Sequence, residues 1–140
     1  PDPETVRGHH LPLATGPRHH PDGRVLLAGD AAALVNPFTG EGIYDAMVSG
    51  VLAGAAALLG ADAGAAHREA MRRRFARHHR HAAAVAGLLP RPRLLDAAVS
   101  AAARHQSVFD AAVDLGLAQG TVPLRALGRV GAAYLRLDPV

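Results

Sequence analysis

The sequence contains no cysteine, no lysine and no tryptophan, and only 4% of its 140 residues are aromatic. Without cysteine the chain has no disulfide framework, no thiolate nucleophile and no cysteine-ligated metal, as expected for a cytoplasmic protein. The few aromatic side chains disfavour stacking platforms for single-stranded nucleic acid, and we expect no nucleic-acid partner. All 15 cationic residues are arginine, a bias typical of GC-rich genomes, so the net charge of +3 says little about function.

Long apolar runs are also absent. The longest uncharged stretch, residues 46–61, is rich in glycine and alanine and falls short of the roughly 18 apolar residues of a membrane span. We expect no membrane-spanning helix and keep contact with a membrane surface as an alternative. The chain begins with Pro1 and shows no signal-peptide pattern over residues 1–8. We interpret it as the C-terminal fragment of a longer polypeptide.

The order of the predicted elements is two short strands followed only by helices. Residues 9–14 favour a strand, and the apolar run 25–28 favours a strand buried on both faces. Two strands cannot form an independent sheet, so we expect the other strands elsewhere in the polypeptide. Turn signals and apolar periodicity place helices at about 40–59, 65–89, 93–105, 107–117 and 124–137, with Ser107 as a candidate N-cap.

A glycine and a carboxylate directly follow the second predicted strand. Open α/β sheets bind ligands at this position, just beyond the end of a strand. Asp30 can accept hydrogen bonds from the hydroxyls of a sugar or polyol, and its charge strengthens them. Gly29 allows a ligand to approach the backbone closely. The pair therefore predicts a site for a polyhydroxylated ligand.

A glycine-rich loop then leads into the first helix, with the sequence Pro-Phe-Thr-Gly-Glu-Gly-Ile over residues 37–43. Pro37 fixes the φ angle of the loop, and Gly40 and Gly42 keep side chains away from the helix start. The first N–H groups of a helix have no internal partners and attract anions. A reduced flavin carries negative charge on its pyrimidine edge, which suits this position.

The first helix carries a ridge of minimal side chains spaced by four residues. The ridge consists of Ala46, Gly50 and Gly54. Glycine costs about 0.5–1 kcal/mol relative to alanine in a helix, so two on one ridge indicate a packing requirement. We expect this helix to lie close to another backbone.

Three short patterns combine into one resemblance: Gly-Asp-Ala-Ala at 29–32, Pro-x-x-Gly-Glu-Gly-Ile at 37–43 and Ala-x-x-Ser-Gly-x-x-Ala at 46–53. Together they resemble the C-terminal flavin-binding segment of the geranylgeranyl reductase family, within the FAD-dependent oxidoreductases of para-hydroxybenzoate-hydroxylase-like fold. The resemblance implies an α/β fragment. Residues 1–60 would hold the last strands of a Rossmann-like FAD-binding domain, the Gly-Asp motif and a long helix, and residues 61–140 a mostly α-helical tail.

The resemblance also implies roles for particular residues. Asp30, beside Gly29, would bind the ribityl or nearby hydroxyls of FAD, and Pro37 would lie against the isoalloxazine. The backbone of four further residues would face the pyrimidine edge of the flavin: Gly40, Glu41, Gly42 and Ile43. The chain contains no Gly-x-Gly-x-x-Gly fingerprint for the pyrophosphate. We therefore expect the fragment alone to be inactive and to need the N-terminal part of the same polypeptide, and no catalytic residue is assigned.

The activity implied by the resemblance is hydride transfer from reduced FAD to a carbon–carbon double bond of an isoprenoid or related lipid, with NAD(P)H or another reductant as electron donor. An FAD-dependent monooxygenase or halogenase is the alternative on the same fold. Aromatic hydroxylases more often have histidine and asparagine where this chain has Ala33 and Ile43, which favours the reductase. An alternative of another class is a non-catalytic helical module that binds anionic partners through its arginine-rich helix.

Residues 68–81 are the most basic segment, with six arginines and three histidines. We interpret them as the solvated face of a helix, and a patch for phosphate or anionic lipid is the alternative. The pairs His9-His10 and His19-His20 are poor chelates because adjacent side chains of a strand point to opposite faces. We expect no metal site, and we interpret Asp45 as a carboxylate in the first turn of the helix.

Overall fold

The computed structural model describes residues 8, 10–16, 21, 23–117 and 120–137. Within them, five α-helices follow a short 3-10 turn at Gly29–Ala32, and a second 3-10 turn lies at Gly60–Asp62. The helices are α1 (Ile43–Ala57), α2 (Ala63–Ala86), α3 (Pro92–Arg104), α4 (Gln106–Leu117) and α5 (Leu124–Tyr134).

All five predicted helices are confirmed, with ends within a few residues of the predicted ones. Local signals explain this agreement. Gly42 precedes α1 as its N-cap residue, and Pro92 opens α3 at a position where its missing N–H has no cost. Ser107 is not the cap of α4, because α4 begins one residue earlier. The Ser107 hydroxyl instead accepts a hydrogen bond from the Arg129 guanidinium.

The predicted α/β class is wrong, because the part of the chain that the structure describes is all-helical and contains no strand or sheet. Residues 25–28 lie outside any regular element and pair with no strand among the described residues. Of the segment 9–14, residue 9 lies outside the described residues, and Leu13 forms one isolated parallel bridge with Val35. An apolar run becomes a strand only where a neighbouring strand accepts its hydrogen bonds, and the described residues form no such strand beside either segment.

The buried apolar side chains form two separate clusters. The first joins the turn region to α1 and the first half of α2, and it contains Ala32, Leu34, Met71 and Phe75. The second holds α3, α4 and α5 together and is built mainly from alanine, with Val108 as its largest buried side chain. The first cluster fixes the position of the Gly-Asp turn relative to α1.

The outward face of α1 is apolar and exposed. Ile43, Met47 and Val51 recur every four residues and are 75%, 69% and 72% exposed. A Cβ atom added at Gly50 or Gly54 would meet no heavy atom within 4 Å. Among the described residues, the predicted close approach of another backbone to the ridge is therefore wrong at Gly50 and Gly54, and the ridge meets another backbone only at Ala46, against Gly29. No described helix is long and apolar enough to cross a membrane.

Candidate flavin-binding turn

Gly29 occupies a position that favours glycine. Its φ angle is +54°, in the left-handed region. A Cβ atom at this position would also lie 3.2 Å from the Cβ of Ala46 on α1, closer than ordinary van der Waals contact. The turn therefore lies directly against α1, and the small side chain of Ala46 makes this approach possible.

A hydrogen bond of Ser49 holds the turn against α1. Its side chain is fully buried, and its hydroxyl accepts a hydrogen bond of 2.9 Å from the N–H of Gly29. The same hydroxyl donates to the carbonyl of Ala46 at 3.0 Å. This explains the serine of the Ala-x-x-Ser-Gly pattern. Ser49 holds the backbone of Gly29 in place and thereby positions the neighbouring Asp30.

The fold brings Asp30 to the start of α1. A Cβ atom built on Gly42, the N-cap residue, would lie 3.9 Å from Oδ1 of Asp30. Asp30 is exposed, as is Ile43 in the first turn of the helix. A carboxylate and a helix N-terminus thus lie side by side on one accessible surface.

The loop between these two features closes on itself. The N–H of Asn36 donates to the carbonyl of Glu41 at 2.7 Å, and the N–H of Gly40 donates to the carbonyl of Asn36 at 2.8 Å. Gly40 has a φ angle of +76°, which favours glycine. Pro37 is half-buried within this closed loop.

The N-terminus of α1 already binds an anionic group, the carboxylate of Glu41. Its Oε1 accepts hydrogen bonds from the N–H of Ile43 at 2.7 Å and from the N–H of Tyr44 at 3.2 Å. These are two of the N–H groups that the sequence marked as an anion site. An external ligand would compete with Glu41 for them.

Two loop side chains anchor the loop on α4. Asn36 is buried, and its amide donates to the carbonyls of Leu115 at 2.8 Å and Gly116 at 3.4 Å. The hydroxyl of Thr39 donates to the carbonyl of Gly116 at 2.8 Å. These carbonyls belong to the last turn of α4, where helix carbonyls have no internal partner. The helical tail thereby supports the candidate site.

The interpretation of residues 68–81 as one solvated helix face is wrong in part. The side chains of His78 and His79 are buried, whereas Arg72, Arg73 and Arg77 are exposed. Nε2 of His79 lies 2.7 Å from Oδ2 of Asp45, which is also buried. Asp45 does lie in the first turn of α1 as predicted, but its pairing with His79 was not predicted.

One signal in the sequence marks the buried face of α2. Five buried residues recur at intervals of three or four along α2: His67, Met71, Phe75, His78 and Ala82. The histidine ring is partly apolar, so histidine can occupy a buried position. If histidines are counted with the apolar residues, the spacing predicts this buried face of α2. Nε2 of His67 lies 2.8 Å from the carbonyl of Leu27, and Nδ1 of His78 lies 2.8 Å from the carbonyl of Gly120.

Asp45, His78 and His79 are the described residues that come nearest to a metal-ligand set. Each offers one ligand atom, and these atoms lie within 4.8 Å of one another. However, the His79–Asp45 pair is in direct hydrogen-bond contact, and Nε2 of His78 lies 3.4 Å from the amide nitrogen of Asn36. These hydrogen bonds satisfy the polar atoms of the buried side chains. The cluster of Asp45, His78 and His79 is therefore explained as a hydrogen-bonded part of the protein core.

Comparison with known proteins gives a relative that matches part of the chain. An uncharacterized protein from Methanosarcina barkeri (strain Fusaro / DSM 804) is 36% identical over 77 residues, which cover 55% of this chain and 20% of that protein. The chain therefore spans about a fifth of the length of the relative that it matches. No protein-family model matches the chain, and no solved structure matches it.

Proposed function

We propose that this chain forms one wall of an FAD-binding site in an oxidoreductase. The observation that supports this most directly is the placement of the exposed Asp30 carboxylate beside Gly42 at the start of α1. The polyol acceptor and the helix N-terminus that the motifs predict separately are neighbours in space. This adjacency suits a ligand with hydroxyl groups next to an electron-rich ring.

The residues around the turn fit such a ligand. The Glu41 carboxylate binds the N–H groups of Ile43 and Tyr44 in the way that an anionic oxygen of a ligand would. It indicates that these donors are oriented to bind a negatively charged edge. Gly40 and Gly42 add no side chain there, so the Glu41 carboxylate is the group that a ligand would have to displace from these donors.

Each residue then has a defined role toward the cofactor. Asp30 accepts hydrogen bonds from the ribityl hydroxyls, and Ser49 holds Asp30 in place through the N–H of Gly29. The N–H groups at the start of α1 favour added negative charge on the pyrimidine edge. When bound, FAD would supply the hydride chemistry, for which the protein provides orientation and electrostatics.

The rest of the site belongs to the remainder of the polypeptide in this proposal. The apolar face of α1 has no partner among the described residues, and the M. barkeri relative extends far beyond the matched segment. We propose that the N-terminal part of the protein covers this face and supplies the pyrophosphate site, the substrate pocket and the contacts to NAD(P)H or another reductant. By resemblance, the reaction is reduction of a carbon–carbon double bond in an isoprenoid or related lipid.

The direct test is the visible absorption spectrum of the purified full-length gene product, with chromatography of the flavin released by denaturation. We expect the absorption bands of an oxidised flavin and recovery of FAD. A full-length protein that contains no flavin after expression, and binds none when FAD is added, contradicts the proposal.

A second experiment separates the reductase from the monooxygenase. Oxygen consumption by the reduced protein is measured with and without an isoprenoid acceptor. A reductase would transfer electrons to the acceptor, so adding the acceptor should lower oxygen uptake. Oxygen uptake that rises with the acceptor would indicate a monooxygenase.

A further inference from the structure

A groove runs along the outer face of α2, and five arginines line it. It encloses about 590 Å³ between α2 and the segment 14–16, and its lining includes Arg68, Arg72, Arg73, Arg77 and Arg80. Thr15 and Gly16 form part of the opposite wall. None of the described residues that line it carries a carboxylate, and none belongs to the candidate flavin-binding turn.

We infer that this groove binds phosphate groups, either those of a soluble diphosphate compound or those of phospholipid headgroups. The guanidinium group presents several N–H donors in a planar fork that matches phosphate oxygens. Arg68 and Arg80 are separated by 12 residues, or about 18 Å along a helix. This length accommodates two or more phosphate groups at the same time.

The carboxylate of Glu69 positions two of the arginines that line the groove. Glu69 accepts from Nε and Nη2 of Arg72 at 2.8 Å each and pairs with Arg73 at 2.5 Å. One carboxylate thus positions two guanidinium groups, which are 70% and 77% exposed. Arg77 and Arg80 also line the groove, and their positive charge attracts anions into it.

The volume of the groove is large enough for a small-molecule ligand and is much larger than a single bound water requires. Small-molecule sites commonly measure about 300–1,000 Å³. The floor is formed by Met71, Ala76 and Ala83, with the buried His79. An apolar floor below a cationic rim is the arrangement that a phosphate ester with an apolar substituent requires.

The test uses the full-length gene product and two double variants of equal charge. Arg77→Gln/Arg80→Gln alters the groove, and Arg125→Gln/Arg136→Gln removes two exposed arginines elsewhere on the chain. Binding of inorganic diphosphate is measured by calorimetry. Binding to vesicles is measured by flotation, with vesicles of phosphatidylcholine alone, with added phosphatidic acid, or with added oleate at equal charge.

We expect the groove variant to weaken binding about tenfold or more, since it loses two charged hydrogen-bond donors, and we expect the control variant to retain the binding. Binding of diphosphate assigns the groove to a soluble ligand. Binding confined to phosphatidic acid vesicles assigns it to headgroups. No binding in either arm, equal binding to oleate vesicles, or equal loss in both variants overturns the inference.

Flavin content keeps this test separate from the proposed function. It is measured on the same preparations, because FAD itself carries a diphosphate. We expect the groove variant to keep the flavin content of the unmodified protein. A groove variant that loses flavin in parallel with diphosphate binding contradicts a separate phosphate groove. A protein that binds phosphate but never flavin contradicts the FAD proposal alone.

Discussion

Single residues decide the geometry of the candidate site. Gly29 combines a left-handed backbone with close contact to Ala46, and Ser49 supplies the hydrogen bond that keeps this contact in register. These two residues hold the backbone of Asp30, the proposed ligand, against α1. The short motif thus contains one proposed ligand and two residues that position it.

The substitution Gly29→Ala should destabilise the protein by about 1–3 kcal/mol, because it adds backbone strain and a close contact with Ala46. The matched control is Gly128→Ala, at an exposed glycine of α5 where an added Cβ meets no atom within 4 Å. That variant should gain up to about 1 kcal/mol of helix stability. Urea unfolding of both variants measures the difference. Equal stability of the two would contradict the close approach at Gly29.

Glu69 should remain ionised in acid where an ordinary glutamate takes up a proton. Its hydrogen bonds to Arg72 and then Arg73 lower the pKa of the carboxyl from 4.5 to about 2. A lowered pKa in the folded state means that the stabilisation is present above pH 4.5 and is lost as the pH falls toward 2. Carboxyl ¹³C NMR titration measures this directly. A midpoint near 4.5 would show that the pairs with arginine do not form in solution.

At the scale of elements, the loop before α1 depends on α4. Asn36 and Thr39 bind the carbonyls of the last turn of α4, about 80 residues later in the sequence. Gly116 is required there, because a Cβ atom at this position would lie 2.9 Å from Cγ2 of Thr39. The helical tail is therefore part of the support of the candidate site.

Asn36→Ala should cost about 1–3 kcal/mol, because it leaves the carbonyl of Leu115 without its side-chain donor. Gln106→Ala is the control, since it removes an exposed amide that binds only Asp110 on the same helix, and it should change stability by less than about 0.5 kcal/mol. Thermal unfolding followed by circular dichroism compares the two. A similar loss from both changes would mean that Asn36 does not join the loop to α4.

The contact between α1 and α2 should show energetic coupling between Asp45 and His79. Nε2 of His79 and Oδ2 of Asp45 are 2.7 Å apart and buried. Each single alanine substitution should cost about 1–3 kcal/mol. The double variant should lose less than the sum of the two, because the second change removes no further part of the shared hydrogen bond. Strictly additive losses in a double-mutant cycle would contradict this coupling.

Sequence reasoning located the elements that local signals determine and failed where distant contacts decide. Pro92 and the glycines before α1 mark helix boundaries, so the helices were predicted to within a few residues. Residues 25–28 have an apolar pattern that suits a buried strand, but only the presence of partner strands decides that outcome. The pairs Asn36–Leu115 and Asp45–His79 join residues far apart in sequence, and a single sequence carries no sign of such pairing.

At the scale of the whole molecule, the most conspicuous feature is the exposed apolar face of α1, on which no described residue packs. Large exposed apolar patches mark interaction surfaces. This face starts at Ile43, beside the candidate flavin site, and continues along α1 through Met47 and Val51. It supports the proposal that another part of the polypeptide packs here and completes the site.

The most direct test of the central claim is the affinity of the full-length gene product for FAD, with Asp30→Ala and Asp96→Ala compared side by side. Both residues are exposed carboxylates, but only Asp30 lies at the turn beside Gly42. Fluorescence titration of the flavin-free protein with FAD gives the dissociation constants. We predict that Asp30→Ala weakens FAD binding about tenfold or more and that Asp96→Ala leaves it unchanged. Equal affinities in the two variants, or no FAD binding by the unmodified protein, would contradict the claim that this turn is a flavin site.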